Sequence, residues 1–187
     1  MKAIVITGTP GTGKTELSKR LKRTYPKSII IDANRLIIKN KLYSGSDRYG
    51  AKIANLKGLQ KLVNGIIARN RKNNLLILEG HLLCDIKVKG AIAIVLREHL
   101  KTLLKRMMRR GYAHGKIRDN IVSEAIDYCG EAASKNYEKT YEAMLSDRDS
   151  TAYIERLIEK GYAEIKRINM MEELLDERLC MEIKLFH

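Results

Sequence analysis

The sequence predicts an α/β protein: one domain over residues 1–187, with a five-stranded, mostly parallel sheet flanked by helices. Three observations point there. Five short apolar runs lack polar alternation, as strands covered on both faces do. Between them lie segments whose apolar residues recur at helical spacing. The first run also passes through a glycine-rich octet straight into a helix.

In chain order, Ala3–Thr7 is the first strand and Lys14–Tyr25 the helix after it. Ser28–Asp32 is the second strand. Ala51–Arg71 repeats Ile53, Leu56, Leu59, Val63, Ile66 and Ile67 at helical spacing. Leu75–Glu79 and Ala91–Leu96 supply strands three and four. Glu98–Arg110 puts Leu100, Leu103, Leu104, Met107 and Met108 on one helix face. Ile117–Leu145 reads as one long helical segment. Helix Thr151–Lys160, strand Ala163–Ile168 and helix Met171–Cys180 close the pattern.

The chain has 187 residues, 44% hydrophobic and 31% charged, a globular balance rather than a disordered one. No apolar run approaches the ~18 residues of a membrane span. The apolar start breaks at Gly8, too early for a signal peptide. Cys84, Cys129 and Cys180 are odd in number and far apart, fitting neither a disulfide framework nor a zinc spacing. A cytoplasmic protein without a membrane partner is expected. Net charge is +14 and uneven: 27 basic and 6 acidic residues over 1–118, against 9 and 16 over 119–187. A basic front suggests an anionic partner, nucleotide phosphates, RNA or both. A lysine-rich surface of thermophile type is the plainer reading.

Gly8-Thr9-Pro10-Gly11-Thr12-Gly13-Lys14-Thr15 matches G-x-x-x-x-G-K-[ST] in full, between a strand and a helix, which marks a P-loop NTPase. Its glycines let backbone N–H groups turn toward phosphate oxygens, and the helix start aims its positive end there. Lys14 should reach the β- and γ-phosphates of ATP, and the Thr15 hydroxyl should ligate Mg²⁺. Glu79, ending an apolar strand, is the second metal-shell candidate, with a helix cap or a bridge to Lys14 as alternatives. His81 beside it either orients a water or a phosphate, or simply packs. Over Arg97–Arg118 eight basic residues face Glu98 alone. Arg97 at a strand end, and Arg106 and Arg110 one helical turn apart, are candidates to stabilise a transferring phosphoryl group. Gly111-Tyr112 and Gly115 make the segment a candidate lid.

These residues carry a resemblance. The phosphate loop, Glu79-Gly80-His81, Val95-Leu96-Arg97 and, most specifically, Arg110-Gly111-Tyr112 with Lys116-Ile117, Asp119-Asn120-Ile121 and Glu124 resemble the adenylate kinase isoenzyme 6 type. That family includes archaeal adenylate kinases and eukaryotic ribosome-assembly ATPases. The resemblance implies a nucleoside monophosphate kinase fold, with a monophosphate-binding insert about 32–53 and a lid about 109–119. It implies nucleotide binding by Gly8, Gly11, Thr12, Gly13, Lys14, Thr15, Glu16 and the lid arginine Arg110, with Asp32 and Arg35 on the acceptor side. The implied reaction is ATP + AMP to 2 ADP, AMP or another nucleoside monophosphate being the acceptor, with ATP hydrolysis as a second activity. A ribosome-assembly ATPase binding rRNA or a small-subunit ribosomal protein is the alternative, and a small-metabolite kinase a third. Three features depart from the family: Glu79 stands where an aspartate is usual, the insert is basic rather than acidic, and an ungapped register puts Ile38 on the expected AMP-gripping arginine, with Arg35 three residues away.

Overall fold

The computed structural model describes residues 3–70, 75–147, 150–161 and 167–185. β1 (Ala3–Thr7) is buried along its whole length and leads through the glycine octet into α1 (Lys14–Thr24). β2 (Ile29–Asp32) runs directly into α2 (Ala33–Lys39), which Asp32 caps. A hairpin of β3 (Tyr43–Ser46) and β4 (Lys52–Ala54) follows, then α3 (Leu56–Arg69) and β5 (Leu76–Glu79). A 3-10 turn over His81–Asp85 precedes β6 (Ala91–Arg97), α4 (Leu100–Arg109), α5 (His114–Ala125) and α6 (Tyr128–Asn136). β7 (Thr140–Met144), α7 (Ser150–Lys160), α8 (Met171–Leu174) and α9 (Glu177–Ile183) complete the order.

The main sheet is five-stranded and parallel, in the order β2-β5-β1-β6-β7. The expected α/β architecture is therefore present. Its central strands are apolar on both faces, because each face is roofed. Ala3 and Val5 of β1, Leu76 and Leu78 of β5, and Ala93 and Val95 of β6 pack under α2, α3 and α6. Their neighbours Ile4, Ile6, Ile77, Ile94 and Leu96 pack against Leu17 and Leu21 of α1 and Ile154 of α7. A third cluster joins Leu103 and Met107 of α4 to Ile117 and Ile121 of α5 and to Leu179 and Ile183 of α9. Among the described residues no helix is long and apolar enough to cross a membrane.

Three expectations change. The long helix expected over 117–145 is two helices and a strand. Asp127 adopts φ 55 and its carboxylate accepts from the Gly130 N–H at 3.1 Å, stopping α5 and starting α6. Tyr137 then turns extended (φ −122, ψ 142) into β7, the fifth described strand of the sheet; most of the strand expected over Ala163–Ile168 lies outside the described residues. The helix expected from Ala51 starts at Leu56, because the Asn55 side chain caps it by accepting from the Gly58 N–H at 2.9 Å; residues 52–54 pair with β3 instead. The last helix is broken, since Asp176 caps a new start by accepting from the Leu179 N–H at 3.0 Å.

Candidate active site

Parallel register gathers the chemistry at one edge. Ile6 lies opposite Glu79, and Glu79 opposite Asp32, so the ends of β1, β5 and β2 stand side by side. In open parallel sheets ligands bind outside the carboxyl ends of the strands. The loop that leaves β1 crosses β6 so closely that a Cβ on Gly8 (φ +129) would overlap the Leu96 carbonyl oxygen. Only glycine fits both that approach and that torsion. Gly80, after Glu79, is held likewise: a Cβ there would lie 2.7 Å from the Ala33 Cβ. Gly11 and Gly13 adopt φ +100, which curls the loop over the start of α1.

Lys14 folds back over this loop. Its Nζ donates to the Gly8 and Thr9 carbonyls at 2.7 and 2.9 Å. Burial pushes its amine down to about 8, against the attraction of Cys129, Glu124, Glu79 and Cys84. Thr15 and Glu16 line the cleft beside it, Glu16 also accepting from Arg20 at 3.0 Å. The Thr12 hydroxyl turns inward and donates to the Thr9 carbonyl at 3.0 Å, stiffening the loop. Glu79 is 8% exposed, and its Oε2 is buried with no hydrogen-bond partner among the described residues. A buried carboxylate oxygen left without a donor is costly unless a ligand completes it, and Thr15 lies on the neighbouring helix start, so this donor pair fits a hydrated Mg²⁺. His81 lines the cleft; burial, then the charges of Lys14 and Lys116, push it down to about 4, so the imidazole is neutral near pH 7.

The cleft is about 930 Å³. Gly11, Gly13, Lys14, Thr15, His81 and Arg110 line the end at the glycine loop, and Tyr112 with Lys116 and Asn120 of α5 forms one side. Its far wall is mostly apolar, with Ile37, Ile38, Ile53, Ala54 and Leu56, alongside Asn34 and Lys52. The hairpin tip reaches across to α5. Arg48 Nη2 and the Tyr49 hydroxyl both donate to Asp119 Oδ2, at 2.5 and 2.9 Å.

The structure separates the three candidate arginines. Arg110 reaches the cleft wall. Arg106 does not line it; its Nη1 donates to the Gly11 carbonyl at 2.8 Å and pairs with Glu98 at 2.8 Å, supporting the loop. Arg97, read as facing the site, is 0% exposed. Its guanidinium is ringed by Glu124 (3.0 Å), Asp127 (2.7 Å) and Glu142 (3.3 Å), with the Ile168 carbonyl at 2.9 Å. A fully paired, buried arginine cannot also grip a phosphoryl group, so Arg97 is a core residue. The acceptor candidates also move. The Asp32 carboxylate caps α2 through the N–H groups of Asn34 and Arg35 at 2.8 and 3.2 Å. The Arg35 side chain is 90% exposed, and neither residue lines the cleft.

Sequence reasoning missed the partners of Arg97, though one signal was readable. Glu124 falls on the buried face of α5 with Ile117, Ile121 and Ala125, where a carboxylate requires a buried donor. It also missed that Cys84 and Cys129 meet, Sγ to Sγ at 3.7 Å, because 45 residues separate them.

Known proteins share these features. The sequence model described as AAA domain matches residues 4–127. A protein named "Putative adenylate kinase" from Methanosarcina barkeri is 34% identical over 160 residues, covering 83% of this chain and 85% of its own. One of the same name from Methanocaldococcus jannaschii is 31% identical over 184 residues, covering 97% and 99%. A shikimate kinase crystal structure from Bacteroides thetaiotaomicron is similar with a TM-score of 0.58 at 18% identity, covering 84% of this chain and 98% of that one. A gluconokinase from Sinorhizobium meliloti gives 0.52 at 14%, covering 86% and 95%. At such identities the structural likeness speaks for the fold alone. The phosphate loop, the strand order and these relatives together show that the chain belongs to the AAA domain family and to the archaeal proteins that carry the adenylate kinase name.

Proposed function

We propose that this protein is a nucleoside monophosphate kinase that transfers the γ-phosphoryl of ATP to AMP. The observation that carries this reading is the continuity of the cleft. It runs from Lys14 and Thr15 at the phosphate loop to the α2 and hairpin wall, so donor and acceptor would share one space. The names of the relatives from Methanosarcina barkeri and Methanocaldococcus jannaschii support the same reading.

Phosphoryl transfer needs positioning and charge neutralisation more than covalent help. Lys14 would leave the Gly8 and Thr9 carbonyls to bridge the β- and γ-phosphate oxygens. Arg110 would close on the same oxygens from the lid, where its fork binds two at once. Thr15 and Glu79 would hold Mg²⁺, which would supply neutralisation of the phosphate charge. His81, neutral, can donate one hydrogen bond without adding charge. The apolar far wall suits a base, and Asn34 and Lys52 are its polar handles.

The hairpin-to-lid clasp would keep water out while the phosphoryl group moves. Its ion pair is surface-exposed, Arg48 at 67% and Asp119 at 41%, so it is weak enough to open each turnover. Asp119→Ala is therefore expected to raise the acceptor KM about two- to fivefold without unfolding the protein. Steady-state kinetics with each substrate varied in turn checks this.

One observation favours a second reading, ATP hydrolysis with nucleotide-controlled docking to RNA or a ribosomal protein. Among the described residues the cleft is lined by one arginine, Arg110, and Ile38 occupies the far wall. An acceptor panel with ATP and Mg²⁺ separates the readings. Nucleoside monophosphates alone accepting phosphate supports the kinase, a sugar acid as the best acceptor points to a metabolite kinase, and release of inorganic phosphate with every acceptor supports hydrolysis.

A further inference from the structure

Thr9 is the second residue of the phosphate loop, yet it is 2% exposed. Its hydroxyl turns away from the cleft and donates to Glu124 Oε2 at 2.5 Å. Glu124 comes from α5, 115 residues later in the chain, and is itself 1% exposed. Its other oxygen accepts from Arg97 Nε and from the Glu98 N–H, both at 3.0 Å, while Arg97 Nη2 holds its backbone carbonyl at 2.7 Å. This carboxylate therefore cannot turn without breaking three charge-assisted hydrogen bonds.

What it holds is the hub of the loop. The Thr9 carbonyl accepts from Lys14 Nζ at 2.9 Å and from the Thr12 hydroxyl at 3.0 Å. Thr9 orientation thus decides where that carbonyl, and the amine resting on it, point. A carboxylate whose only task was to neutralise Arg97 would not need to reach into the loop, since Asp127 and Glu142 already stand against the same guanidinium.

We propose that Glu124 is a positioning residue for the nucleotide site: it fixes the phosphate loop through the Thr9 hydroxyl, and Arg97 fixes Glu124. The loop is then set for phosphate before any nucleotide arrives, and the ordering cost is met in folding rather than in binding. This rests on the reading that the loop cradles ATP.

Thr9→Val keeps the side-chain shape and removes the donor. It is expected to weaken ATP binding about tenfold, read by calorimetric titration at a temperature where every variant is folded. kcat/KM should fall in step, and the melting temperature should fall as well, since Glu124 Oε2 loses its buried donor. Thr9→Ser, which keeps the hydroxyl, is expected to rescue binding to within about threefold. Glu124→Asp retracts the carboxylate from Thr9 and should weaken ATP binding similarly. The double variant should bind no worse than the weaker single one, because both cut the same link. Thr9→Val binding ATP as tightly as wild type, Thr9→Ser as poor as Thr9→Val, or fully additive losses would each overturn the inference. A wild-type chain that binds no ATP would instead remove the reading beneath it, and the inference with it.

Discussion

Lys14→Ala is expected to lower ATP turnover by about two to three orders of magnitude, the range seen when one preorganised donor is taken from a developing charge. The amine is held over the loop by the Gly8 and Thr9 carbonyls, in a place that already pushes it down to about 8 by burial. A cation so desolvated interacts strongly with phosphate once phosphate is there. The same burial makes the free protein carry a cost for it, so removing the amine should leave the melting temperature unchanged or slightly raised. Turnover and thermal unfolding measured on one preparation separate the two effects. Activity within about tenfold of wild type would contradict the role given to Lys14.

Arg97→Met is expected to act first on stability, with ATP binding weakened through Glu124. It leaves buried Glu124 and Glu142 and partly buried Asp127 without their shared counterion, Arg167 alone remaining against Glu142. Breaking a buried pair by removing one partner costs about 3–5 kcal/mol. For a domain of this size that lowers the melting temperature by roughly 6–20 °C. The loss should depend on pH. Burial already raises Asp127 to about 6 in the folded protein, above the ordinary 3.8, so the unfolded chain binds fewer protons between those values. Stability from this group is therefore lost as pH rises through 6 and regained as pH falls toward 4. Without the Arg97 charge, which lowers it, Asp127 holds its proton harder still. The variant should recover part of its melting temperature, relative to wild type, between pH 8 and pH 5. A variant that melts within about 2 °C of wild type would contradict this account of Arg97.

The sheet and the phosphate loop were legible because their signals are local. Strands such as Ala3–Thr7 are apolar at every position, and the octet Gly8–Thr15 needs no distant partner to be read. The order β2-β5-β1-β6-β7 then places Glu79 where a carboxylate at a strand end was sought. Long-range pairing was not legible. Arg97 stands four residues after Ala93 in an apolar run, and nothing within that run says that Glu124, Asp127 and Glu142 will surround it. The helix stop at Asp127 was hidden because apolar residues on both sides, Ile126 and Cys129, keep helical spacing across a residue whose backbone is left-handed. The hairpin over Tyr43–Ala54 was obscured by Ile53, which fits the helical stripe of α3 as well as it fits a strand. Asp32 and Arg35 sit near the right wall of the site but look elsewhere, one capping α2 and the other facing solvent.

Helices α4 and α5 hold both the loop and the hairpin. Glu124 and Arg106 brace the loop from α5 and α4, while Asp119 of α5 holds the hairpin tip.

The most direct measurement is the stoichiometry of ADP formed from ATP with Mg²⁺, with and without AMP, followed by phosphorus NMR or by chromatography of the nucleotides. Phosphoryl transfer within the cleft is expected to give two ADP for each ATP consumed, only when AMP is present, with little inorganic phosphate. One ADP and one phosphate per ATP, at a rate indifferent to AMP, would contradict it.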